Sequence, residues 1–399
     1  MSLRYRFDRL EIAGSLGDLG TLLPMAIGMI LINGLSPMGV FFAIGIFFIV
    51  SGLYYGITVP VQPMKVIGAY AIATAMTSSQ VLASAALMGF FLLIIGGTNA
   101  ITLIGNYTPK AVVRGVQLST GTLLMAQGVK FMLGTSKFQM LRQAAEPYLT
   151  FQKLGPLPAG ILIGIVGGLL TLLLLENRKF PAGLVVVLGG IALGLVLGTH
   201  EGLDKLKLGI YLPDILPFGF PAQADFTFAF FALALPQLPM TIGNAVIANA
   251  DLSREYFGDD SNKVTYRSLT ISMALANLLS FLVGGMPLCH GAGGLAAHYR
   301  FGARTAGSNL FIGGIFLALA LFLGTHALAI VYLVPMAVLG ILLVFAGSQL
   351  ALTIIDMQER KDLFVVLLML GITLASNLAV GFIIGLFVAY ALKSEKLNV

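Results

Sequence analysis

The sequence predicts an all-α integral membrane protein with fourteen transmembrane segments arranged as a seven-plus-seven inverted repeat. Three observations lead there. The 399 residues are 58% hydrophobic and only 10% charged, against about 25% charged in an ordinary soluble domain. Apolar runs of spanning length, about 20 residues, recur from end to end. Two runs are short, and each starts at a break rich in Pro and Gly. These are Val59-Pro-Val-Gln-Pro-Met-Lys65 and Gly285-Met-Pro-Leu-Cys-His-Gly-Ala-Gly-Gly-Leu-Ala-Ala-His-Tyr-Arg300.

In chain order the expected segments are 11–32, 37–57, 62–77, 80–97, 109–133, 155–175 and 181–199. A second set follows at 226–250, 267–283, 290–299, 307–324, 327–350, 362–377 and 378–393. The short ones hold the third place in each half, the pattern that points to a transporter site. Because seven is odd, the second half must be inverted. This makes 1–225 the first repeat and 226–399 the second.

Charge sets the orientation. With the N-terminus inside, the cytoplasmic side collects Arg4, Arg6, Arg9, Lys110, Arg114, Arg178, Lys179, Arg254, Lys263, Arg267, Arg300, Arg304, Arg360, Lys361, Lys393 and Lys396. The outside collects only Lys137, Arg142, Lys153, Lys205 and Lys207. Both termini are therefore expected in the cytoplasm of a plasma (inner) membrane protein. The net charge of +6 is read as topology-setting rather than as a nucleic-acid footprint. The long polar connections are 134–154, 200–225 and 251–266. The second, with Glu201, Asp204, Asp214 and Asp225, is expected to form a short extracellular helix, and the third to be a cytoplasmic link. No cleavable signal peptide and no soluble C-terminal domain are expected.

The lone cysteine, Cys289, excludes an intramolecular disulfide and a multi-cysteine metal site. His200, His290, His298 and His326 are scattered, so no metal or cofactor is expected and no nucleophile–base set suggests an enzyme.

Candidate site residues come from four segments. Asp18 lies about 10 Å along the first span from Glu11. An intramembrane carboxylate is a functional candidate, here for ion coupling or for pairing with Lys65; Glu11 is read as interfacial. Gln62, Pro63, Met64 and Lys65 form the first turn of the third segment, where free N–H groups and the helix dipole favour an anion. Cys289, His290 and Gly291 occupy the matching place in the tenth. His290 is a candidate donor or titrating group. In the eighth segment Gln237, Thr241 and Asn244 recur at i, i+4 and i+7, which puts three neutral polar groups on one face. They suit either an oxyanion or interhelical hydrogen bonds. Asn277 and Asn377 are read as packing residues.

These same stretches resemble the molybdate transporter family, a branch of the sulfate-permease-like superfamily. The likeness rests on Ser15-Leu-Gly-Asp-Leu-Gly-Thr-Leu-Leu-Pro24, Pro60-Val-Gln-Pro-Met-Lys65, Pro236-Gln-Leu-Pro-Met-Thr-Ile-Gly-Asn244 and Met286-Pro-Leu-Cys-His-Gly-Ala-Gly-Gly-Leu-Ala-Ala-His-Tyr-Arg-Phe-Gly-Ala-Arg304. The resemblance implies half-helices at segments 3 and 10, each preceded by a short extended strand. It implies a core domain from 1–97 and 226–324 and a gate domain from 98–225 and 325–399. It further implies molybdate transport by alternating access, with the anion between the third and tenth segments. Import coupled to protons is the expectation, with Asp18 or His290 as the coupling group. The expected partners are a small oxyanion and the bilayer, with a homodimer as the candidate assembly. A sulfate transporter is the alternative; a nucleobase carrier or passive anion channel fits less well, since no carboxylate stands among Gln237, Thr241 and Asn244.

Overall fold

The structure, a computed structural model, describes residues 5–98, 100–101, 107–177, 180–394 and 397. Arg4, Arg178, Lys179 and Lys396 of the charge pattern lie outside the described residues. The first half contains α1 (Arg9–Ser15), α2 (Leu19–Asn33), α3 (Pro37–Tyr55), α4 (Lys65–Thr74), α5 (Ser78–Thr98), α6 (Lys110–Leu133), α7 (Lys137–Arg142), α8 (Ala159–Leu174) and α9 (Ala182–Leu197). The second begins with the long helix α10 (Gln223–Ser261). It continues with α11 (Tyr266–Val283), α12 (Ala292–Phe301), α13 (Ala306–Leu323), α14 (Met336–Ala351), α15 (Arg360–Ala375) and α16 (Leu378–Ala391). Among the described residues, six helices are long and apolar enough to cross a membrane, or seven if α1 and α2 count as one span.

Local chemistry sets the ends. Ser36 caps α3 by accepting from Gly39 N–H, Pro37 opens its first turn, and Gly56 closes it at φ +79°. α11 ends at Gly284 with φ +72°. β1 (Gln62–Pro63) precedes α4, and β4 (Leu288–Cys289) precedes α12. A separate small ladder joins β2 (Lys153–Leu154) to β3 (Leu157–Pro158). α4 and α12 have ten residues each, about 15 Å of helix against a hydrocarbon layer of about 30 Å.

α3 packs on α13 and α5 on α11, while α6 packs on α14, α15 and α16. α6 and α14 approach closely: a Cβ on Gly128 would lie 2.3 Å from Gly340 O, and one on Gly121 2.5 Å from Gly347 O. Small residues let backbones meet where lipid gives helices no hydrophobic reason to associate.

Several expectations are corrected. The first span is not one straight helix: α1 and α2 meet at 43° around Leu16–Asp18. The 200–225 connection forms no helix before Gln223; His200 and Leu216 sit at positive φ, and Pro213, Pro217 and Pro221 interrupt the rest. The eighth segment does not stop at 250 but stays helical to Ser261. Pro236 and Pro239 lie next to two widened stretches, Phe230–Ala234 and Thr241–Ala248, with i→i+5 bonding. Such widening accommodates a disturbed hydrogen-bond ladder. The twelfth segment starts at Met336, after Pro335, rather than at 327.

α14 starts where it does because of Glu146. This carboxylate, fully buried, accepts from Met336 N–H and Ala337 N–H, both at 2.8 Å. Glu146→Ala orphans two buried donors and is expected to cost on the order of 1–3 kcal/mol. It should lower the melting temperature in detergent, with Glu146→Gln recovering part of the loss. Equal melting of the Ala variant and the wild type would remove this role.

Candidate functional site

The site grows from a backbone crossing. β1 and β4 pair antiparallel, Gln62 opposite Cys289 and Pro63 opposite Leu288. Met64 N–H donates to Pro287 O at 3.0 Å. The chain leaves the crossing in opposite directions, so α4 and α12 both begin beside it. A non-helical backbone this deep must find internal partners. Asn277 on α11 supplies them to β4: its amide donates to Leu288 O (2.7 Å) and accepts from Leu288 N–H (3.1 Å). Asn309 on α13 does the same before β1, donating to Val59 O (2.7 Å) and accepting from Val59 N–H (3.1 Å). Asn277 thus does more than pack, and Asn309 is not legible in the sequence because a lone Asn in an apolar helix carries no periodic signal.

The two helix starts differ. At α4, Gln237 Oε1 accepts from Val66 N–H (3.0 Å) and Ile67 N–H (3.3 Å), while its Nε2 donates to Thr241 Oγ1 (2.9 Å). These first-turn donors are taken by a side chain from α10. At α12 no side chain caps the helix, and the N–H groups of Ala292, Gly293 and Gly294 have no hydrogen-bond partner among the described residues. Gly293 is exposed, and open space surrounds the place its Cβ would take.

Beside this open end lies a carboxylate–amide pair. Gln62 Nε2 donates to Asp18 Oδ2 at 2.6 Å, and both side chains are buried. Gln62 Oε1 is buried without a partner. The glycines of α12 make room for the pair. A Cβ on Gly291 would sit 1.8 Å from Gln62 Oε1, and one on Gly294 2.8 Å from both Asp18 Oδ2 and Gln62 Nε2. Lys65 is half-buried at the first position of α4. Of the two readings of Asp18, pairing with Lys65 is not seen among the described ion pairs; the Gln62 amide stands against the carboxylate.

The other candidates are placed as follows. Pro63 and Met64 are buried, and Cys289 Sγ donates to Pro63 O at 3.4 Å, so the thiol serves the strand pair. His290 is fully buried, with its ring 4.6 Å from that of Phe47. Its Nδ1 donates to Pro60 O (2.9 Å), which leaves Nε2 to accept from Ser272 Oγ (2.9 Å). Both ring nitrogens are thus engaged by protein. Glu11 is buried within the protein and accepts from Arg304 N–H and Thr305 N–H at 3.0–3.2 Å, tying α1 to the start of α13. Gln237, Thr241 and Asn244 do not share one environment, because the wide turn from Thr241 rotates the face. Asn244 lines a separate cavity of about 570 Å³ between α10 and α6.

Paired helix starts thus meet at one strand crossing inside a bundle of apolar helices. Its fold is shared with the transmembrane domain of the cyanobacterial bicarbonate transporter BicA, at TM-score 0.64 and 14% identity over 96% of this chain and 98% of that one. It is shared too with SLC26A9, at TM-score 0.66 and 14% identity over 98% of this chain and 66% of that one. The family described as "Molybdate transporter of MFS superfamily" matches residues 10–124 and 229–350. Molybdate transporter 2 of Arabidopsis thaliana is 32% identical over 97% of this chain and 88% of its own length. Molybdate transporter 1 of the same plant is 30% identical over 96% and 88%. The chain belongs to the molybdate transporter family.

Gln237→Ala leaves Val66 and Ile67 N–H uncapped and is expected to destabilise by on the order of 0.5–2 kcal/mol, read as a lower melting temperature. Gly294→Ala drives a methyl into the Asp18–Gln62 pair. It is expected to cost on the order of 1–3 kcal/mol, read as a lower melting temperature; melting identical to wild type would show that the pair tolerates displacement.

Proposed function

We propose that the chain is a secondary active transporter that imports molybdate together with protons, by alternating access of a core domain (1–97 and 226–324) against a gate domain (98–225 and 325–399). α4 and α12 are the half-helices of fourteen spans in a seven-plus-seven inverted repeat, and both termini lie in the cytoplasm, as the Lys/Arg bias favours. The observation that carries the reading is the open start of α12, with three unpartnered N–H groups beside Asp18 and Gln62. Free N–H groups at a positive helix end are a ready anion site. Lys65 adds a full charge to the cradle.

Asp18 supplies the coupling. An ionised carboxylate at this helix start repels an incoming dianion; a protonated one does not. Proton and anion therefore bind more favourably together than apart, which is the thermodynamic requirement for symport. His290, with both nitrogens engaged, acts here by fixing the Pro60 loop against α11. Pro63, Met64 and Cys289 shape the crossing, and Gly291 keeps room for Gln62.

Labelled molybdate uptake into proteoliposomes tests the function. Saturable uptake stimulated by an inward proton gradient is expected. Asp18→Asn is expected to abolish the gradient stimulation while retaining molybdate binding, and Lys65→Ala to weaken binding about tenfold or more, a loss near 1.4 kcal/mol. No saturable uptake under any gradient sinks the proposal, and full competition by equimolar sulfate reassigns the substrate.

A further inference from the structure

The cavity that holds Asn244 contains chemistry the cradle does not use. Lys110 and Arg114 lie one helical turn apart at the start of α6, where (i, i+4) side chains meet. Both face Asp356, at the end of the helical turn Leu352–Asp356 that follows α14. Arg114 Nε donates to Asp356 Oδ1 at 2.9 Å, its Nη2 grips Oδ2, and Lys110 Nζ lies 3.0 Å from Oδ2. Arg114 Nη1 also donates to Gln117 Oε1 (2.7 Å), which accepts from Thr353 Oγ1 (3.0 Å) as well. Lys110, Arg114, Gln117 and Thr353 line the same 570 Å³ space as Asn244. Asn244, half-buried, has no side-chain hydrogen bond among the described residues.

We propose that this cavity is a second oxyanion station, separate from the cradle at α12, in which Asp356 holds the two cations until a tetrahedral dianion displaces it. The proposal rests on the reading of the chain as an oxyanion transporter. Two cations against one carboxylate leave a net positive charge facing the cavity. A carboxylate bound by both arms of a guanidinium occupies the geometry that an oxyanion takes. Lys110 and Asp356 are half exposed, at 56% and 42%, and Arg114 is the more buried partner at 22%; solvent screening of the exposed part weakens the hold on Asp356. A dianion brings twice the charge of Asp356, and the free amide of Asn244 adds a neutral donor. The station is linked to the cradle through α10: Asn244 follows Gln237, the cap of α4, by seven residues, about 10 Å of helix. It lies at the end marked by Lys110 and Arg114, which the charge pattern assigns to the cytoplasm, so an anion leaving the cradle inward would meet it next.

Tungstate, a heavy tetrahedral dianion, is the probe. The full-length protein is to be crystallised with saturating tungstate, and anomalous density located in wild type, Asp356→Asn, and the Lys110→Gln, Arg114→Gln double variant. Density beside Arg114 and Asn244 is expected in wild type. It should persist at tenfold lower tungstate in Asp356→Asn and vanish in the double variant. Density at the start of α12 reports on the cradle independently, so the two readings can fail separately. No density beside Arg114 in both wild type and Asp356→Asn overturns the station, as does density that survives in the double variant. If Asp356→Asn fails to fold, equilibrium binding of tungstate to the purified double variant decides: an unchanged number of bound anions per chain relative to wild type overturns the proposal.

Discussion

The structure depends on one constraint: a backbone that stops being helical deep in a membrane protein must have every polar group answered from within. Two such breaks meet in the antiparallel pairing of Gln62–Pro63 with Leu288–Cys289. The pair supplies part of the requirement. Asn277 and Asn309 supply more by imitating strand partners, each offering one donor and one acceptor to a single residue of the chain. Glu11 closes the account further out, at the start of α13. Bundling these satisfiers on α1, α11 and α13 locks those helices to the crossing, so the site and its surrounding helices form one unit.

Within that unit the two helix starts are topologically equivalent and chemically opposite. α4 is closed by the Gln237 amide, whereas α12 is left open at three N–H groups. The difference explains why glycine is concentrated at α12. A side chain at Gly291 or Gly294 would strike Gln62 or Asp18, and the pair would lose its place beside the open donors. The buried, unpartnered Gln62 Oε1 is an unusual feature of the site, since buried polar atoms are nearly always satisfied.

A second theme is the contact between helices that carry the site and those that do not. α6 and α14 lock together through small residues, and α6 also borders α10, which provides the Gln237 cap. Pro236 and Pro239 with the flanking wide turns give α10 a backbone whose ladder is already disturbed. One continuous helix thereby presents Gln237 and Thr241 to α4 and Asn244 to the cavity shared with α6. A regular helix would have kept all three on one face.

The sequence by itself determined the membrane class, the helix boundaries to within a few residues for most segments, and the two breaks. Apolar length and the Pro/Gly clusters around Pro60 and Pro287 act locally, so they can be read without a fold. The motifs around Asp18, Lys65, Gln237 and His290 also placed the family. What only the tertiary structure decided was who partners whom. Asp18 meets Gln62 rather than Lys65, Gln237 caps α4, and His290 spends both nitrogens on Pro60 and Ser272. Asn309 and the Lys110–Arg114–Asp356 cluster emerged only when residues distant in the chain were brought together. The physical reason is that a buried polar side chain is assigned its role by the nearest unmet donor or acceptor. In this fold that partner usually comes from another segment, where spacing along the chain carries no information about it.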